Sequence, residues 1–583
     1  MISGPPSFAE YVYTDDLARL EACRRMVRVP QELSAVVSPL RWRDWEDSLS
    51  LHPDKAFVRY ISEGLRYGFR IGFDYNRHKC KRVKQNMKSA GEHPEEIRDY
   101  LASECAEGRV LGPFNPESLP QVHVSRFGVI PKNSGGWRLI LDLSSPEGNS
   151  VNDGIDEALC SLSYVSIEEA AQRIVALGAG CLLAKVDVKH AYRNVPVHPE
   201  DRGLLGMMWE EGLYVDAALP FGLRSAPKIF TAVADALEWI VKQEGIREVY
   251  ILHYLDDFLL IAPANADRAK ESLQRLLGTF ERLRVPIALS KLEGPAYLIT
   301  FLGIEMDTVA MILRLPKFKI VELRAIVEKW LEQKFCTKRE LQSLVGKLQH
   351  ACKVVRPGRT FLRRMFDLLK GVSKKQHFIR LNGAFRSDLR WWHHFLEGWN
   401  GVSMLENITG RTPDHHVISD ASGSYGCGAW WGPSWFQLQW PDVCGGLSIA
   451  VKELIPVILA CAIWGRRWQR QVVLIHCDNE AVVQVVNKGC CKDPDLMHLL
   501  RTLFFIAAHY EITVQAVHIA GKENTGADAI SRNKMALFFI QAPAADRIPT
   551  SIPHPLLDLV IHRRPDWTSQ SWSQLFSTFL RQV

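Results

Sequence analysis

The stretch His253–Ala262, HYLDDFLLIA, sets two adjacent acids inside a run of apolar, β-forming residues. Those flanks predict a strand or a hairpin. Two neighbouring like charges in such a run are costly unless a cation compensates them. An exposed hairpin turn accounts for one acid, but not for the β-run that resumes directly after Asp257. Upstream, LLAKVDVKHAY (Leu182–Tyr192) ends a second apolar strand on Asp187. Carboxylates at the ends of neighbouring strands can converge on divalent ions, which suits in-line phosphoryl transfer.

Around these acids, from Val122 to about Asp307, short β-rich runs alternate with helical patterns at Ile167–Leu177, Pro227–Glu244 and Ala266–Leu283. This alternation predicts an α+β sheet domain. Residues 316–400 read as almost entirely helical. A second β-rich block begins at His415, with a helix at Ser448–Arg466 and further strands at VVLIHCD and ITVQAVHI. The expected division is an N-terminal helical and basic extension (1–112), the α+β domain (113–307), a basic helical segment (308–412), an α/β domain (413–535) and a tail or linker (536–583).

Five stretches of the α+β domain resemble reverse transcriptase motifs in order and spacing: FGVIPKNSGGWRLILDLS, KVDVKHAYRNVPV, LPFGLRSAPKIFT, YLDD and ITFLGIEM. The resemblance implies a right-hand polymerase of fingers, palm and thumb with a ferredoxin-like palm. It implies that Asp187 and Asp256 are the principal metal ligands, with Asp257 beside them. Lys132 and Arg138 would meet the incoming triphosphate, where cationic side chains suit phosphate oxygens. Tyr192 would be the aromatic gate that excludes a ribose 2′-hydroxyl. Phe221 and Gly222 would line the nucleotide pocket, and Lys291 would lie near the leaving phosphate, although a surface lysine is the common alternative. Phe301–Ile304 would form the hairpin that grips the primer end.

A second set of acids comprises Asp420 in VISDAS, Glu453 in AVKELIP, Asp478 in LIHCDNE and Asp528 in GADAISR. Taken singly, Glu453 would read as a solvated helix-edge residue. Together, in strand–helix–strand–helix order, the four resemble the ribonuclease H fold, whose carboxylates hold two Mg²⁺ for attack on an RNA phosphodiester. His518, opening HIAGKEN, matches that family's mobile histidine loop; a strand-end surface histidine is the alternative. Asn479 and Asn524 would orient neighbouring groups or simply lie in polar loops.

The 583 residues carry 71 Lys and Arg against 65 Asp and Glu, unevenly placed. Between Lys317 and Lys375, 16 basic residues face 5 acidic ones, an excess of 11, so the rest of the chain sums to −5. That surplus, and the cluster RHKCKRVKQNMK at Arg77–Lys88, point to a polyanionic partner; a solvated helix face is the alternative. The composition excludes whole-chain disorder. No apolar run approaches the ~18 residues of a membrane span, and the N-terminus lacks a signal-peptide pattern, so an intracellular protein without a membrane partner is expected. The 13 cysteines show no zinc or disulfide spacing, which predicts reduced thiols. Trp391 and Trp392 would pack helices rather than stack on bases.

SSPEGNSVNDGI, LQSLVGKLQHACKVVRPGRTFLRR, PDWTSQSWSQLF and HPDKAFVRYISEGLRYGFRIGF resemble DIRS-type retrotransposons, the tyrosine-recombinase class. This resemblance implies an RNA- and DNA-directed DNA polymerase with hybrid ribonuclease activity. Two Mg²⁺ per site are expected, with Mn²⁺ an alternative. The implied partners are an RNA template, a DNA primer, the RNA–DNA hybrid, deoxynucleoside triphosphates and a separately encoded tyrosine recombinase. Two other readings stand beside it: an inactive or domesticated copy that only binds nucleic acid, and a stand-alone ribonuclease.

Overall fold

The computed structural model describes residues 12–23, 29–81, 85–131, 135–245, 248–374, 376–398, 402–404 and 412–561. Lys132, the centre of the Arg77–Lys88 cluster and the closing PDWTSQSWSQLF lie outside these residues. The chain divides into two units, residues 1–299 and 300–583.

At the centre of the first unit the elements follow a βαββαβ order: strand Leu182–Asp187, helix Ala226–Gln243, strands Tyr250–Tyr254 and Asp257–Ala262, helix Ala266–Arg282 and strand Glu293–Ala296. The Tyr250 and Asp257 strands, the Leu182 strand and the Glu293 strand form one antiparallel sheet in that spatial order. This is the ferredoxin-like arrangement of a polymerase palm. The longer helix carries Pro227 in its first turn, where a missing N–H is harmless. The second is capped by Asn265, whose side chain accepts from the N–H groups of Asp267 and Arg268.

The N-terminal residues are not a separable extension. Trp45, Phe57, Ile61 and Phe69 are buried in one cluster with Val186, Trp239 and Phe258 of the palm, and the Trp45 indole N–H donates to the carbonyl of Leu283 at 3.1 Å. Strand Val110–Phe114 pairs with Gly212–Asp216, so the boundary expected at 112/113 falls inside a strand. Burying these apolar residues against the palm helps to hold the region, and Leu33 enters a second cluster with Leu119, Val122, Leu213 and Val215.

In the second unit, the basic segment forms helices Lys317–Glu332, Lys338–Ala351, Arg363–Lys370 and Gly383–Gly398. It is less purely helical than its composition predicts: Phe335–Thr337 and Phe378–Arg380 form an antiparallel ribbon, and Ile312–Arg314 pairs with both Ile304–Asp307 and Val402–Met404. The Phe301–Ile304 turn is held by the basic helices. Lys319 donates to the Gly303 carbonyl at 3.0 Å, and the His350 ring lies 2.9 Å from the Leu302 carbonyl. Trp391 and Trp392 are buried, and Trp391 stacks on Phe361 at 3.8 Å, in keeping with helix packing.

The remaining sheet runs Ser434–Gln439, Gly426–Trp431, His415–Ala421, Val472–Cys477, Thr513–His518, the last two junctions parallel and the first two antiparallel. Helix Ile449–Trp464, apolar almost all round, packs on it and is buried along nearly its whole length. This is the ribonuclease H-like topology. Residues beyond 535 are not a linker up to 561. Phe538 of helix Met535–Gln541 is fully buried beside Trp430, Trp435 and Ile530, and the backbone of 546–550 binds Pro433 and Trp435. Among the described residues, no helix is long and apolar enough to cross a membrane.

Two candidate active sites

In the palm, Asp187 and Asp257 face each other as register partners on adjacent antiparallel strands. Asp256 sits in the two-residue turn between strands Tyr250–Tyr254 and Asp257–Ala262. Leu255, its turn partner, has φ +54°, the left-handed conformation that tight hairpins need at their first central position. The Val188 N–H donates to the Asp256 carbonyl at 2.9 Å, locking the turn onto the Asp187 strand. All three acids of the expected set therefore come together, at the end of a sheet whose interior is apolar.

Burial and mutual repulsion dominate their electrostatics. Burial raises the Asp256 carboxyl, and Asp187 adds to the rise. Burial, then Asp256, then Asp187 push Asp257 up to about 6, against the pull of Lys185 and Lys291. Lys291 reaches Asp187 at 2.8 Å, which places its ammonium beside the palm carboxylates. An all-oxygen donor set of crowded carboxylates fits Mg²⁺ or Mn²⁺.

Of the residues expected around the nucleotide, Tyr192, Phe221 and Arg138 converge. Tyr192 packs against Phe221 and Phe230, with ring centroids 5.4 and 5.3 Å apart, and the Arg138 guanidinium lies 5.6 Å over the Phe221 ring. Gly222 has φ +98°, and a side chain there would meet the Leu141 carbonyl at 2.9 Å, so only glycine suits the turn. One organiser escaped the sequence reading. Asn152, 4% exposed, donates to the Gly222 carbonyl at 2.8 Å and accepts from the Arg224 N–H at 2.8 Å. It thereby ties the NSVNDGI segment to the Phe221–Gly222 loop. Its signal was an asparagine in a turn-rich stretch, which looks like any loop residue.

The second site lies at the carboxyl ends of two parallel strands. Asp420 is the penultimate residue of His415–Ala421, and Asp478 follows directly on Val472–Cys477. Donor atoms of Glu453, Cys477 and Asp478 lie within 4.8 Å of one another. Glu453 is not the solvated helix-edge residue of its single-residue reading: it is 4% exposed. Burial, then Asp420 and Asp478, push it up to about 9, while Asp420 is raised to about 6 by burial first. Asp528 adds to the rise of Asp420 and of Asp478, so all four acids share one field. Asp528 is also paired with Arg532 at 2.6 Å. The His518 ring lies 3.1 Å from the Asp478 carbonyl, beside the acids.

Three supporting residues surround these acids. Ser531 donates to Asp420. Asn524 donates to Asp420 at 3.3 Å and to the Ser419 carbonyl at 3.2 Å, the orienting alternative for that residue. The Cys477 thiol faces Glu453 at 4.0 Å. The i, i+3 spacing of Asp528 and Ser531 on one helix was the available clue to the serine. Nothing in the sequence distinguished Cys477 from the other cysteines.

Residues 130–306 match the family model for reverse transcriptase (RNA-dependent DNA polymerase). The chain therefore carries a reverse transcriptase domain of the retroviral and retrotransposon type. Among curated proteins, it is 26% identical over 255 residues to the Gag-Pro-Pol polyprotein of Mason-Pfizer monkey virus, a match covering 42% of this chain and 13% of that one. It is 23% identical over 378 residues to Polyprotein P3 of Commelina yellow mottle virus, covering 62% and 18%. The matched regions are thus a small fraction of these polyproteins. Among solved structures, it is similar to a foamy viral protease-reverse transcriptase in complex with double-stranded DNA, with a TM-score of 0.45, 15% identity and 84% of each chain covered. A foamy viral protease-reverse transcriptase in complex with an RNA/DNA hybrid gives 0.44 and 14%, covering 85% and 64%.

Proposed function

We propose that this chain copies RNA and DNA templates into DNA and cleaves the RNA strand of the resulting hybrid, replicating a retrotransposon of the DIRS type. The observation that supports this most directly is the meeting of carboxylates distant in sequence at two separate places, where burial first raises the proton affinity of Asp256 and Asp257 in the one and of Asp420, Glu453 and Asp478 in the other. In both, divalent ions would be held by the acids: Asp187, Asp256 and Asp257 in the palm, and Asp420, Glu453, Asp478 and Asp528 in the second unit. When bound, such ions activate an attacking oxygen and stabilise the leaving one.

The chain's own residues supply the rest. Arg138, with Lys132, holds the triphosphate; the Phe221–Gly222 loop, braced by Asn152, shapes the base and template side; and Tyr192 blocks a 2′-hydroxyl. Lys291, beside Asp187, would hold a phosphate oxygen of the incoming nucleotide. In the second unit, Ser531 and Asn524 fix Asp420, and His518 would move a proton or assist product release. The basic helices would follow a duplex by its phosphates. The substrates would be RNA template, DNA primer, hybrid and deoxynucleoside triphosphates, met inside the cell, with integration left to a separately encoded tyrosine recombinase.

Primer extension on an RNA template and cleavage of a labelled hybrid, with and without Mg²⁺, test the proposal. Asp256→Asn should abolish extension and spare cleavage, and Asp478→Asn should do the reverse. Loss of both activities in either variant would refute two separate sites.

A further inference from the structure

Tyr192 stands on backbone that side-chain-bearing residues avoid. The two residues before it, His190 and Ala191, have φ +67° and +40°, and neither is a glycine. Left-handed backbone at two consecutive L-residues persists only where its surroundings over-determine it. The residues after Tyr192 supply that determination.

Arg193 is 3% exposed. Its Nε and Nη2 lie 2.9 and 2.8 Å from Glu104 Oε2, and its Nη1 lies 2.7 Å from Asp216 Oδ1. It also donates to the carbonyls of Ala218 and Arg109, at 3.3 and 3.4 Å. Glu104 in turn takes two bonds from Arg109, at 2.7 and 2.9 Å. One residue further on, the Asn194 side chain donates to the Lys189 carbonyl at 2.8 Å, and the Asn194 carbonyl accepts from the Ser38 hydroxyl at 2.8 Å. The turn is thus gripped from below by a buried charge cluster. Glu104 comes from helix Pro94–Ala106 and Asp216 from strand Gly212–Asp216. A buried guanidinium with two carboxylates is a costly way to fill space, since apolar side chains of like volume do it as well. What it adds is directionality.

We propose that Glu104, Arg193 and Asp216 are positioning residues for Tyr192, and that through them the N-terminal region sets discrimination against ribonucleotides. This rests on reading Tyr192 as the sugar gate. Glu104 touches no substrate in this scheme; it aims the arginine, which aims the turn.

The test is steady-state single-nucleotide incorporation by the full chain, reading the ratio of kcat/KM for a deoxynucleotide to that for its ribonucleotide. Loss of folded enzyme lowers both values alike and leaves the ratio untouched, so the ratio separates positioning from mere stability. Glu104→Gln should lower the ratio by about tenfold, the scale expected when a discriminating group is displaced. Glu104→Asp, which restores the charge, should recover part of it. Tyr192→Ala run alongside should abolish discrimination. If Tyr192→Ala relaxes the ratio and Glu104→Gln does not, the positioning role is wrong and the gate stands. If Tyr192→Ala leaves the ratio unchanged, the gate reading fails and takes the proposal with it. Should Glu104→Gln prove insoluble, Asp216→Asn, which keeps the Glu104–Arg109 pair, serves in the same measurement: a lowered ratio supports the positioning role and an unchanged one overturns it.

Discussion

Glu453→Gln should stabilise the metal-free protein while removing the hybrid cleavage proposed for it. The carboxyl is 4% exposed on an apolar helix, and burial, with Asp420 and Asp478 nearby, lifts it from 4.5 to about 9. An acid whose folded affinity for protons exceeds its unfolded one favours folding at low pH, and that advantage is lost as pH rises from the unfolded value through the folded one. At pH 8 the unfolded chain holds this group ionised while the folded chain holds it protonated, which costs about 5 kcal/mol at 1.36 kcal/mol per pH interval from 4.5 to 8. At pH 5 the same term is under about 1 kcal/mol. Glutamine keeps the shape and removes the titration, but its buried amide gives back about 2 kcal/mol. A net gain of about 3 kcal/mol at pH 8 corresponds to roughly 5–10 °C in a unit of this size. Thermal unfolding in EDTA, followed by tryptophan fluorescence from pH 5 to 9, should show the second unit of the wild type losing stability steeply. The variant should lose it less, and it should forfeit most of the stabilisation that Mg²⁺ gives the wild type. Parallel pH profiles, or a variant that melts below wild type at pH 8, would refute the claim that this carboxyl is held protonated by its neighbours.

Three other outcomes are expected. In the palm, protons would compete with the proposed divalent ions at Asp257, raised to about 6, so the Mg²⁺ concentration for half-maximal extension should climb below pH 6, by up to about tenfold per pH unit. A flat Mg²⁺ requirement from pH 7 to 5 would contradict this. Phe538→Ala should cost the second unit about 3–4 kcal/mol by opening a cavity beside Trp435 and Trp430, seen as a lower urea midpoint; a change under about 1 kcal/mol would mean the 536–561 segment is dispensable packing. Neutralising Lys329, Lys334 and Lys347 should reduce the slope of log affinity against log salt for duplex DNA by up to about one for each phosphate no longer neutralised, and an unchanged slope would mark these lysines as merely solvated.

The acids were legible because their chemistry contradicts their surroundings. Aspartates at the ends of apolar strands, such as Asp187 and Asp420, stand out against a β-pattern that has no use for charge. So do Asp256 and Asp257, and the order of strands and helices around them gave both folds. Glu453 was harder, because a glutamate on a helix is usually solvated. Only the helix being apolar all round shows that no exposed edge exists for it to occupy. Local patterning failed where partners are remote. Residues 1–112 read as an extension because the buried cluster that Trp45, Phe57 and Phe69 enter is completed by residues far along the chain, Trp239, Phe258 and Leu283 among them. The 536–561 segment, rich in proline, carried no periodic signal, and it is ordered by a few anchors, Phe538 and the backbone around Asp546.

The same distinction explains why Tyr192 could be proposed as a gate from the sequence and its support could not. A motif specifies which side chain meets the substrate. It does not specify what holds that side chain in place, because the holding groups, Glu104, Arg193 and Asp216, are spread over more than a hundred residues and are individually ordinary charges. Arg193 in particular reads as a surface residue, since lysine and arginine are almost never fully buried unless paired. Its burial implies two carboxylates somewhere, but only the folded chain shows that one of them comes from the N-terminal region. If that region aims the gate, exchanging it between related enzymes should carry sugar selectivity with it, whereas exchanging the basic helices should change salt dependence and leave selectivity alone. A chimaera in which selectivity followed the basic helices instead would place the determinant in the wrong half of the molecule and defeat the reasoning.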